Sequence, residues 1–151
     1  MKKINLISLT IIFGLLCGCS KNMGNLTEID MNKVSNILDS NLKNMNKVEE
    51  DELKDVYSLD TTNMEKYIIK VNKDGDLYAI IKCKDIEATK QSMEDYFKKV
   101  KDFNQSYSPE RLKILENREE REIGNYIIYI VSKNSEELYQ KIIKSLWWSF
   151  I

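Results

Sequence analysis

The chain has 151 residues, a single proline, no histidine and a formal charge of −1. That length suits one domain with a core of its own and is too short for two. Without histidine the usual general base and metal ligand is missing, and without net positive charge nucleic acid is excluded as a partner; no cofactor is expected.

The first element is a leader. Lys2 and Lys3 precede an apolar run over residues 4–16, which is the length of a secretory signal and shorter than the roughly 20 residues a bilayer span needs. The run ends in Leu16-Cys17-Gly18-Cys19, which resembles the bacterial lipoprotein signal. A cut needs a small residue just before it. Gly18 meets that requirement for Cys19, whereas Leu16 fails it for Cys17. Cys19 is therefore the expected site of a diacylglyceryl thioether. On this reading residues 1–18 leave as the signal peptide, 19–25 are the lipidated cysteine and a flexible tether, and 26–151 form a single domain on the outer face of the cell membrane. The Lys-, Asn- and Ile-rich composition fits an AT-rich, Gram-positive bacterium. A metal pair at Cys17 and Cys19 would need further ligands, and only Cys83 remains. Loss of Lys2 and Lys3 takes the charge from −1 to −3, so the lipid rather than electrostatic attraction must hold the membrane.

Thr27 and Asp30 have capping-box spacing before an N-terminal amphipathic helix whose apolar stripe runs Val34, Ile37, Leu38, Leu42, Met45 and Val48. Residues 49–57 begin with acids and predict a short second helix. Two β-branched and aromatic runs, residues 65–71 and 77–83, flank Asp74-Gly75 and predict a hairpin. Cys83 alternates with Ile81 and Ala79 on one face, which makes it a buried thiol. Asp85 caps a helix with Met93, Tyr96, Phe97 and Val100 on one stripe. Pro109 can start a helical turn. A second hairpin turns at Gly124-Asn125, and Ser135 caps a last helix.

Two hairpins can join edge to edge, so the expected fold is α+β: a four-stranded antiparallel sheet with helices packed on one face and an N-terminal helix before it. Four segments carry a resemblance: Tyr57, Leu59 and Asp60; Lys82, Lys84 and Asp85; Tyr107, Pro109 and Glu110; and Gly124, Asn125 and Tyr126. In this order they resemble the bacterial domain-of-unknown-function family 4358, a group of small secreted lipoproteins, over about residues 29–145. The resemblance implies fold and location; it implies no activity and no catalytic residue.

Function is read as binding rather than catalysis. Cys83 has no histidine to activate it, and no serine sits in a nucleophile elbow. Glu119, Glu120 and Glu122 could serve a carboxylate hydrolase of the cell envelope, but Arg118 and Arg121 lie among them and mark a solvated strand edge. A small-solute receptor is usually larger and two-lobed. The expected role is an interaction module for an envelope protein or glycan. Its candidate surface is Tyr126, Tyr129 and Trp148: alternation splits the two tyrosines, and an open sheet face would expose one of them. Helical spacing places Trp147 inward and Trp148 outward, where it could meet the membrane interface.

Overall fold

The computed structural model describes residues 28–105 and 109–147, with side chains to 102 in the first stretch and to 146 in the second. The leader, Cys19, Thr27, Tyr107 and Trp148, together with the Trp147 side chain, lie outside the described residues.

Asp30 takes extended backbone and its carboxylate accepts from the amides of Asn32 and Lys33, which starts α1, Met31–Asn41. The helix stops well short of Val48. Leu42 returns to extended backbone, Asn44 takes a φ of 55°, and the side-chain amide of Asn46 donates from Nδ2 to the Asn44 carbonyl at 3.0 Å. Asparagine competes for backbone hydrogen bonds and tolerates the left-handed region, so this Asn-rich run breaks the helix. A two-residue strand comes next, β1, Asn46–Lys47. Val48 then packs in a different core from Val34, Leu38 and Leu42.

The next elements are α2 (Glu50–Asp55), β2 (Met64–Val71), β3 (Leu77–Cys83), α3 (Ile86–Gln105) and α4 (Pro109–Glu116). The chain ends in β4 (Glu119–Ile123), β5 (Tyr126–Val131) and α5 (Ser135–Trp147). Asp85 caps α3, accepting from the Ala88 amide at 3.0 Å. Ser135 is the first residue of α5 rather than its cap. The first helical bond goes to the Asn134 carbonyl, while the Ser135 hydroxyl donates to the carbonyl of Asn117 at 3.2 Å.

Among the described residues five strands, not four, form one antiparallel sheet in the order β1-β2-β3-β5-β4. Helices cover both faces, not one. The reason lies in β3 and β5, whose side chains are apolar on both sides, so neither face can be left to water. Ala79, Ile81, Ile127 and Tyr129 meet α2, α3 and α4 in one core. Tyr78, Ile80, Tyr126 and Ile128 meet α1 and α5 in the other. The result is three layers, helix, sheet and helix, with the sheet as the shared floor.

Candidate functional site

The expected tyrosine surface is corrected by this second layer. Tyr126 and Tyr129 do point to opposite faces, but at 2% and 0% exposure both are inside. Phe97 stacks edge-on to Tyr129 with centroids 5.2 Å apart. Cys83 is buried as expected, and burial pushes its thiol up from the ordinary value.

The carboxylates of β4 are divided between faces and held by cations. Glu120 and Glu122 turn to α3, where both pair with Lys90. Glu119 turns to α5 and contacts Arg121, whose guanidinium also lies 3.5 Å from Glu136 and over the Tyr139 ring. Burial raises the Glu119 carboxyl above its usual range, with Arg121 opposing, while the Gln140 amide lowers Glu136. Two carboxylates set apart in this way can act as acid and base. Neither of them lines the polar groove at the far end of the sheet.

That groove, about 590 Å³, opens where β2 turns into β3. Asn72, Asp74 and Asp76 come from the β2–β3 loop, Glu110 and Arg111 from the start of α4, and Lys133 from the β5–α5 junction. The loop is built by Asn72, whose side-chain oxygen accepts from the amides of Asp74 and Asp76 at 3.0 and 2.9 Å. Its Nδ2 donates to the carbonyl of Lys43 beyond α1 at 3.1 Å. Gly75 has a φ of 90°, and a Cβ there would come within 3.1 Å of the Arg111 side chain. The Arg111 guanidinium donates to the Lys73 carbonyl. Lys133 and Glu110 pair at 2.6 Å; each holds the other in its charged form, Glu110 below and Lys133 above its ordinary value. Cations, carboxylates and amides thus alternate around the rim without a dominant sign. Such a rim can hydrogen-bond a polar, uncharged chain.

A second polar constellation went unread in the sequence. The Tyr78 hydroxyl, inside the sheet, lies 2.7 Å from Ser35 Oγ and donates to Asp39 at 2.8 Å. Asp39 also pairs with Lys70 at 2.6 Å. The signal was available: Ser35 and Asp39 are four apart on one helix face, and the hairpin loop sets Lys70 opposite Tyr78. The network fastens α1 to the sheet, with Tyr78 and Ser35 buried and Asp39 and Lys70 partly exposed at its edge.

Among the described residues no group of three or more Cys, Asp or Glu is placed to hold a metal. The segments that carry the resemblance build turns and caps. Asp60 accepts from the Thr62 amide at 2.9 Å, Lys84 donates from Nζ to the Thr62 carbonyl at 3.0 Å, and Gly124 has a φ of 59° at the β4–β5 turn. No curated protein and no solved structure matches the chain. Residues 38–132, more than half of the sequence, match the family described as "Domain of unknown function (DUF4358)", and the chain belongs to that family.

Proposed function

We propose that this protein is a lipoprotein, held on the outer face of a bacterial cell membrane by a diacylglyceryl group on Cys19, whose domain binds an envelope protein or glycan without catalysis. The observation that carries the reading is the register at Leu16-Cys17-Gly18-Cys19, where charge, apolar run, small residue and cysteine fall in order. Among the described residues no helix is long and apolar enough to cross a membrane, so attachment on this reading rests on the two acyl chains, each buried methylene adding about 0.8 kcal/mol. The path of α1 supports the binding role. The helix starts beside the cleft lined by Lys66, Lys82 and Tyr126 and ends at the polar groove. Its 11 residues rise about 16 Å between the two. The groove therefore stands at the opposite end of α1 from Met31, where the described chain enters the helix.

Labelled palmitate tests the anchor. Cys19→Ser abolishes incorporation and blocks processing, and Cys17→Ser leaves both unchanged. Label persisting in the Cys19 variant, or vanishing in the Cys17 variant, assigns the wrong cysteine. Turnover of a glycan or peptide by the purified domain would overturn the non-catalytic role.

A further inference from the structure

A second cavity, about 200 Å³, adjoins the polar groove at the same end of the sheet. The two share Asn72, Asp76 and Arg111 as lining residues, but their walls differ. The smaller one is walled by Leu77 and Val131 from the sheet, Tyr96 and Val100 from α3, and Leu115 from α4. It is an apolar slot beside a polar groove. Tyr57 also lines it, its ring edge-on to Tyr96 with centroids 5.1 Å apart. Among the described residues the charges that line the slot are one base, Arg111, and one acid, Asp76. The β2–β3 loop fixes both. The Arg111 stem lies against Gly75 and its guanidinium donates to the Lys73 carbonyl. Asp76 Oδ2 accepts from Asn72 Nδ2 at 3.1 Å.

We infer that slot and groove together form a binding site for an apolar amino-acid residue that carries its own α-carboxylate, either a free amino acid or the last residue of a peptide. The side chain fills the slot, the carboxylate meets Arg111, and the α-nitrogen donates to Asp76. The inference goes beyond the binding role proposed above and needs no lipid anchor. Size sets the side chain. An apolar cavity of about 150 Å³ holds benzene, so a slot of about 200 Å³ takes a ring or a short branched chain and is too small for an acyl chain. Polarity sets the head group. A sugar in the slot would turn hydroxyls without partners against an apolar wall. A hydrocarbon would strip water from Arg111 and Asp76 and give nothing in exchange. A carboxylate and an N–H on one carbon answer both charges at once: a guanidinium fork matches a carboxylate with two parallel bonds, and the Asp76 carboxylate accepts from the nitrogen. The preceding residues of a peptide would continue into the groove, whose rim suits a polar, uncharged chain.

Both cores lie within residues 28–147, so the chain from residue 19 onward, made with Cys19→Ser to remove the acyl site, contains the whole fold. Titration calorimetry of that protein should show saturable binding of N-acetylphenylalanine or of phenylalanine. N-acetylphenylalaninamide, which lacks the carboxylate, and N-acetylglycine, which lacks the side chain, should each bind about tenfold or more weakly. The tighter of the two acids names the source: phenylalanine a free amino acid, its N-acetyl form a chain end. Arg111→Gln should lower affinity for the acid by about tenfold and leave that for the amide unchanged. Val100→Phe, which places a ring in the slot from a half-buried position, should abolish binding. Far-UV dichroism should be the same for both variants and the parent, and the ligand series decides the matter even where a variant fails to fold. Equal affinity for acid and amide, or for the phenylalanine and glycine derivatives, overturns the inference. So does the absence of binding by either acid at millimolar concentration. None of these outcomes bears on Cys19, which palmitate labelling judges, or on the non-catalytic role, which turnover judges.

Discussion

Tyr78 and Tyr129 are both sealed inside the sheet, yet their hydroxyls are treated differently. Tyr78 finds Ser35 and Asp39; the Tyr129 hydroxyl has no partner among the described residues. Burial pushes both phenols well above their ordinary range, so each stays protonated at any physiological pH. A satisfied buried hydroxyl contributes about 1 kcal/mol, and an orphaned one costs at least as much. Tyr78→Phe should therefore lower stability by about 1–2 kcal/mol in urea unfolding, and Tyr129→Phe should leave it unchanged or raise it. Equal losses would show that the Tyr78 network adds nothing. Glu119 supplies a pH dependence. Its carboxyl is raised in the fold, so its contribution is fully present below the unfolded pKa near 4.3 and is lost as pH rises through the folded value. Glu119→Gln should melt higher than the parent at pH 7, and the difference should close by about pH 4. Glu136, titrating with it as a pair and shifted the other way, makes the transition broad. Residue alternation made the opposite orientations of Tyr126 and Tyr129 legible. It could not show that both sides were roofed, because the cover comes from α1 and α5 on one side and α2, α3 and α4 on the other, and alternation within a strand carries no record of them.

At the scale of the element, strands and turns were more legible than helix ends. The two glycine-bearing turns fall where Asp74-Gly75 and Gly124-Asn125 put them, and the register of β2 on β3 follows from the loop between. The stripe from Val34 to Val48 read as one helix because a helical period persists by chance across the Asn-rich break, although its last member serves the opposite core. The end of α2 shows how local bonds override such a pattern. The Ser58 amide donates to Lys54 at 3.0 Å, the single bond of an αL-type closure, and the Leu59 amide to Leu53 at 2.8 Å, with the buried Leu59 as the apolar contact. Ser58 holds a φ of 49° there, where glycine carries no Cβ penalty. Ser58→Gly should raise stability by about 0.5–1 kcal/mol. A thermal midpoint that falls instead would mean that the Ser58 side chain makes a contact worth more than the strain.

At the scale of the whole molecule, the groove was not legible at all. Asn72, Glu110, Arg111 and Lys133 are brought together only once β5 inserts between β3 and β4, and nothing in a linear reading orders the strands that way. The same insertion gives β5 a paired strand on each side. Tyr126 to Val131 reads Tyr-Ile-Ile-Tyr-Ile-Val: six residues with no charge, no proline and no glycine, all of high β-propensity. That is the composition of segments that stack into cross-β fibrils. In the folded domain the segment is shielded four ways, by a strand on each side and a helical layer above and below. Just outside it stand Glu119 to Glu122 on the neighbouring strand and Lys82 and Lys84 at the end of β3, charges that would oppose stacking of the open chain. The double roof that hides Tyr126 and Tyr129 from any partner thus also guards the chain against self-assembly, and loss of either helical layer would bare the stretch of this sequence best suited to form amyloid.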